Sequence, residues 1–173
     1  MVLKYNLIFV PNLDDRKKIS HLRSKICKKI HSTQALQYPV HISLISSGFH
    51  IKNFTKFEQS LKELCKNEKP LKVKTEKLTT VLPDRFWTGI QIIRTNDITE
   101  LQKKLQRLRN VFSLKKENHQ FHPLHITLAF PAKVDELKPE KCPIKNMILD
   151  RITIVKKEKE SDPYRIFKHI KLG

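Results

Sequence analysis

The chain has no run of about 18 apolar residues that could cross a bilayer, and its start, MVLKYNLIFVPN, lacks the long apolar stretch and small-residue cleavage site of a secretory leader. No membrane partner and no processing are therefore expected. Cysteine is scarce: Cys27, Cys65 and Cys142 are odd in number and widely spaced, which argues against a disulfide framework and for a reducing compartment. Cys27 and Cys65 fall in helical patterns, where a thiol serves as a small hydrophobe. Acidic residues are also in deficit, 17 against 35 Lys and Arg, for a net charge of +18. The excess is spread along the whole chain, so the folded body itself is basic and attracts polyanions, of which nucleic acid is the commonest in cells. A cytoplasmic monomer is expected, with a nuclear location left open for a eukaryotic source.

With 173 residues and 39% hydrophobic content, the chain suffices for one α+β domain or two small lobes sharing a core, but not for two independent domains. Lys4 to Val10 reads as a strand closed by Pro11-Asn12. Asp14 and Asp15 then open a helix with Ile19, Leu22, Ile26 and Ile30 on one face. A second strand ends at Ser46-Ser47-Gly48, and Phe54, Phe57, Leu61 and Leu64 mark a helix capped by Asn53. Strands Leu71 to Leu78 and Phe86 to Ile93 flank the turn residues Pro83-Asp84. Ile98, Leu101, Leu105 and Leu108 mark a third helix opened by Asn96 or Asp97, and the tail adds strands at Met147 to Lys156 and Tyr164 to Leu172.

Against this background one pattern repeats. Pro39-Val40-His41-Ile42-Ser43-Leu44 recurs about eighty residues later as Pro123-Leu124-His125-Ile126-Thr127-Leu128. In an extended strand the alternation puts histidine and hydroxyl on one face, isoleucine and leucine on the other. Two imidazoles facing one cleft can divide a proton transfer, one taking a proton from water and the other giving one to a leaving oxygen. Ser43 and Thr127 can donate hydrogen bonds to the non-bridging oxygens of a phosphate as its charge grows. The set outlines a phosphodiester site that needs no metal.

Two H-x-[ST]-h motifs at this separation in a small α+β chain resemble the two-histidine (2H) phosphoesterase superfamily, in particular its 2′-5′ RNA ligase-like and RNA cyclic phosphodiesterase branch. The likeness extends over most of the chain, including the opening KYNLIFVPN strand and the helix after it. It implies a bilobal fold of two antiparallel-rich sheets flanked by helices around a central cleft, with His41 as proton donor and His125 as proton acceptor. It further implies Ser43 and Thr127 as phosphate ligands, no cofactor, and RNA as partner, at its 3′ end or a 2′,3′-cyclic phosphate terminus. Many members place proline directly before each histidine, whereas Val40 and Leu124 intervene here, and the first motif carries serine in place of threonine. The resemblance leaves open cyclic-phosphate hydrolysis, reversible 2′-5′ ligation, RNA end trimming and 2′-5′ oligoadenylate cleavage. From another class, a non-catalytic RNA-binding module with a basic cleft also stays open.

His119, His122 and His125, with Cys142, offer an alternative metal set, but Pro123 and the alternating pattern from His125 onward point to a strand that scatters them. Trp87 and Phe86 follow Arg85, and an aromatic beside a base can stack on a nucleobase; alternation lets only one of the pair face a cleft. Phe121, His122 and Tyr164 are further candidate RNA contacts, and Lys156, Lys157 and Lys159 candidate backbone contacts. His21, His31, His50 and His169 carry no motif.

Overall fold

The computed structural model describes residues 3–45, 47–82, 87–116, 123–130 and 142–173. Strand β1 (Lys4–Phe9) leads into helix α1 (Leu13–Lys29). Asn12 rather than Asp14 or Asp15 caps this helix, its side chain accepting from the Asp15 N–H at 2.9 Å, while the two aspartates sit in the first turn and Lys28 and Lys29 in the last. Each charge therefore opposes the nearby end of the helix dipole. A 3-10 turn (Gln34–Gln37) delivers the chain to β2 (Ile42–Ser43). After β3 (Phe49–His50) comes α2 (Phe54–Lys66), capped by Asn53 as its sequence implies. Strands β4 (Leu71–Leu82) and β5 (Trp87–Ile92) precede α3 (Asn96–Phe112), which the side chain of Thr95 caps, one residue before the expected opener. Then follow β6 (His125–Ala129), β7 (Asn146–Leu149), β8 (Arg151–Lys157) and β9 (Arg165–Lys171).

All described strand pairs are antiparallel, in the order β7-β4-β5-β6-β2-β1-β8-β9, with β3 also on β1. Two halves of four strands thus meet at the β2–β6 border, where the ladder consists of one pair, Ile42 opposite Ile126. On the other edge of β2, the chain pairs with β1 at Ile8 and Phe9, and β3 pairs with the same strand at Lys4 and Tyr5.

The expected tail strand Met147 to Lys156 is in fact two. Asp150 interrupts it, its carboxylate taking Nε and Nη2 of Arg151 at 2.8 Å each and its carbonyl accepting from Leu172. β7 joins β4 and β8 joins β1, in opposite halves of the sheet. Aspartate disfavours strand interiors because its side chain competes for local hydrogen bonds. Pro83, Asp84, Arg85 and Phe86 lie outside the described residues.

The core lies between one sheet face and the helices. Leu7, Phe9, Ile42, Leu44, Ile90, Ile126 and Leu128 meet Ile19, Leu22 and Ile26 of α1, Phe57 and Leu61 of α2, and Ile98, Leu101 and Leu105 of α3, all buried in one cluster. Burying each such side chain contributes roughly 1.5–3 kcal/mol before entropy is counted. No described helix is long and apolar enough to cross a membrane. Gly89 is fixed by close approach: a Cβ there would stand 2.5 Å from the Ile126 carbonyl oxygen. Gly89→Ala is expected to cost about 1–3 kcal/mol by forcing β5 away from β6; an unchanged denaturation midpoint would refute this.

Candidate active site

Antiparallel register builds the site. With Ile42 opposite Ile126, His41 comes to stand across from Thr127 and Ser43 across from His125, all four on the sheet face away from the core. Their apolar neighbours follow the same alternation: Ile42, Leu44, Ile126 and Leu128 are buried, whereas the four polar residues are half-buried. The repeat therefore forms one constellation with local two-fold character, each histidine beside the other motif's hydroxyl residue. Gln91 pairs with His125 and Gly89 with Thr127, extending the same face.

The proline of each repeat has a defined role. The Nδ1–H of His41 donates to the Pro39 carbonyl at 2.8 Å, and the Nδ1–H of His125 to the Pro123 carbonyl at 2.7 Å. A carbonyl only accepts, so the hydrogen resides on Nδ1 in both rings and Nε2 is left as the proton-transfer atom. Two-residue spacing from proline to histidine thus orients both imidazoles. Burial pushes His41 down to about 4; the Pro39 bond opposes that shift, and the Arg23 charge and His125 add to it. At pH 7 His41 is therefore neutral.

Around His125 stands an aromatic wall. The Trp87 ring meets the His125 ring edge-on at 6.3 Å and stacks on Phe130 at 4.9 Å, and Phe130 in turn meets Tyr38 at 6.5 Å. On the other flank, Tyr164 packs with Ile8, Val10 and Val155. Ile8 is the register partner of Ser43, so this cluster borders the first motif. Burial, Glu160 and Tyr38 push the Tyr164 phenol up to about 12. Lys157 points at the Tyr164 ring (5.3 Å) and, with Lys4, pairs with Glu160, while Lys156 lies over Phe167. Two of the expected backbone-contacting lysines are therefore engaged within the protein. A cavity of about 360 Å³, lined by Glu76, Gln91, Arg94, Pro123 and Leu124 among others, adjoins the His125 side.

Phe121 and His122 lie outside the described residues, as does His119. Among the described residues no three His, Cys, Asp or Glu side chains come together as a metal-holding group. His50 bonds the Leu3 carbonyl and His169 the Thr153 hydroxyl, away from the motifs.

Helices reach beneath each motif. From α1, Arg23 bonds the carbonyls of Ala35, Tyr38 and Thr127, Cys27 that of Leu128, and Ser32 just beyond the helix that of Phe130. From α3, Gln102 bonds the Leu44 carbonyl and Arg109 the Ser47 hydroxyl. The helix of the first half supports the second motif, and the helix of the second half supports the first. Arg23, Tyr38 and Phe130 are absent from the sequence-based candidates; for Arg23 the available signal is its place on the apolar stripe, between Ile19 and Ile26.

An α+β sheet of two antiparallel halves flanked by helices is the LigT-like fold. E. coli LigT complexed with 3′-AMP matches with a TM-score of 0.67 at 16% identity over 99% of both chains. A structure described only as a phosphoesterase matches at 0.62 with 17% identity over 99% of both. TT0787 of Thermus thermophilus matches at 0.61 with 11% identity, over 98% of this chain and 97% of its own. No family model and no curated protein matches the sequence.

Proposed function

We propose that the chain is a single-domain, metal-independent phosphodiesterase of the two-histidine type that opens a 2′,3′-cyclic phosphate at an RNA end. The observation that carries this reading is the pair of imidazoles on one sheet face, each with Nδ1–H tied to a carbonyl and Nε2 left for proton transfer, each beside a hydroxyl. Nε2 of His125 takes a proton from water as its oxygen bonds phosphorus. The bond from phosphorus to one ribose oxygen breaks, and that oxygen receives the Nε2 proton of His41. A phosphomonoester results, and exchange with solvent resets the pair. Ser43 and Thr127 hold the non-bridging oxygens as their charge grows. Because His41 rests neutral, its working proton is taken up as the phosphate anion arrives and offsets the desolvation of the imidazolium.

A basic body supports a polyanionic substrate, and E. coli LigT has been solved with 3′-AMP, NADP+, ATP and phosphate, which supports a nucleotide ligand. Trp87 and Phe130 offer a stacking surface beside His125. Trp87→Ala is accordingly expected to raise KM roughly tenfold or more while changing kcat less, since each base–aromatic stack is worth about 1–3 kcal/mol; steady-state kinetics check this, and an unchanged KM would remove the platform.

The direct test is incubation of a short RNA bearing a 2′,3′-cyclic phosphate in EDTA, with products resolved against 2′- and 3′-phosphate standards. Turnover to a phosphomonoester is expected. Absence of turnover on this substrate and on 2′-5′ and 3′-5′ linked oligomers would favour the binding module.

A further inference from the structure

Arg23 is 4% exposed, a guanidinium buried beneath the sheet. Its Nη1 donates to the carbonyls of Ala35 and Tyr38 at 3.2 and 2.9 Å, and its Nη2 to that of Thr127 at 2.8 Å. One side chain thus joins two places that the sequence keeps almost ninety residues apart: the turn that runs through Tyr38 and Pro39 to His41, and the strand that carries Thr127. Pro39, which follows the bonded Tyr38, is also the residue whose carbonyl orients the His41 ring.

Burying a cation is costly, and an apolar side chain would fill such a place more cheaply. A merely structural tie has no need of charge. The proposed reaction does: a neutral His41 and two hydroxyls need help to attract a phosphate, and a fixed positive charge in a poorly solvated position acts strongly on an anion.

Resting on the two-histidine reading, we propose that Arg23 is the positioning residue of the site: its fork holds the Thr127 strand against the turn that delivers His41, and its charge draws the phosphate toward the sheet. It is not a catalytic residue, since it works through Thr127 and His41 from behind. The charged and titratable groups acting on His41 are Arg23 from α1 and His125 from β6, and the partner acting on Arg23 is Cys27, one turn further along. The same positive field that favours phosphate disfavours imidazolium, so an effect on His41 titration separates charge from scaffolding.

Arg23→Gln and Arg23→Lys are the informative variants, read by NMR titration of the histidine ring protons (His41 assigned from His41→Gln), by inorganic phosphate binding and by kcat and KM. Lysine keeps the charge but not the planar fork; glutamine keeps a donor without charge. In Arg23→Gln the His41 midpoint is expected to rise by about half a unit to one unit, and phosphate affinity to fall severalfold. In Arg23→Lys the His41 midpoint is expected to stay within a few tenths of the native value, while kcat falls about tenfold or more because Thr127 loses its anchor. A folded Arg23→Gln protein with native His41 midpoint and phosphate affinity would overturn the electrostatic half. Native kcat in Arg23→Lys would overturn the positioning half, and that variant still decides if glutamine prevents folding. Titration and phosphate binding need no turnover, so failure of the cyclic-phosphate reading would be visible separately, as an inactive native protein.

Discussion

His41→Ala and His125→Ala are each expected to lower kcat/KM for a cyclic-phosphate RNA by about 10²–10⁴, the range over which positioned acid–base groups contribute. The double variant should be little worse than the poorer single one, because groups that act as a unit are not additive. The expectation rests on geometry. Each ring is oriented by the same Nδ1–H···O=C bond, which makes Nε2 the proton-transfer atom, so removing either ring removes one end of a two-ended transfer. Ser43→Ala and Thr127→Ala should each lose about 10²-fold through the phosphate-binding step. Both alanine variants at the histidines should keep the native fold, since the rings face away from the core that holds Ile42 and Ile126. A histidine variant that is folded and turns over at the native rate would sink the mechanism.

The kcat/KM profile is expected to carry its acid limb near pH 4, about two units below that of an ordinary histidine pair, because that ratio reports ionisation in the free protein. A limb near 6 would show that His41 is better solvated than its lowered value implies. Stability moves in a definite direction with it. The folded-state value of His41 lies below its unfolded value of about 6.5, so between these the unfolded chain binds more protons. The stability this group contributes is complete above about pH 6.5, falls as pH drops, and is gone below about 4. His169, also lowered by burial first, acts in the same sense. The loss from His41 is on the order of 2–3 kcal/mol. Denaturant unfolding of native protein and His41→Gln between pH 4 and 7 tests it: the variant should show the shallower decline.

What was legible in the sequence depended on whether the signal was local. The alternation around His41 and His125 announced strand faces correctly, since period-two burial is a property of six residues at a time. Asn53 was readable as a cap for the same reason, whereas Thr95 lost to its neighbours Asn96 and Asp97, which are equally good cap formers. Asp150 inside an otherwise apolar tail was the sign of a break, outweighed there by the apolar residues on both sides. The pairing of β2 with β6 could not be read from either strand alone, because register between distant segments is set by the whole sheet. Arg23, Gln102, Gln106 and Arg109 all sit on helix stripes shared with buried Ile and Leu, and all are buried. In a chain so rich in basic residues a single arginine looks like solvated surface, and only its stripe position distinguishes it.

The central place of β1 bears on how the chain is made. One edge pairs with β2 and β3, both within the first 50 residues, and the other with β8, which begins at Arg151. During synthesis β1 therefore waits with one edge open until β8, about 140 residues further on, has been made. Such a high sequence separation makes for slow closure, and an apolar strand with an unpaired edge is prone to pair with other chains meanwhile. Truncation before β8 is expected to yield aggregating fragments, and refolding of the full chain should be slow relative to helical proteins of the same length.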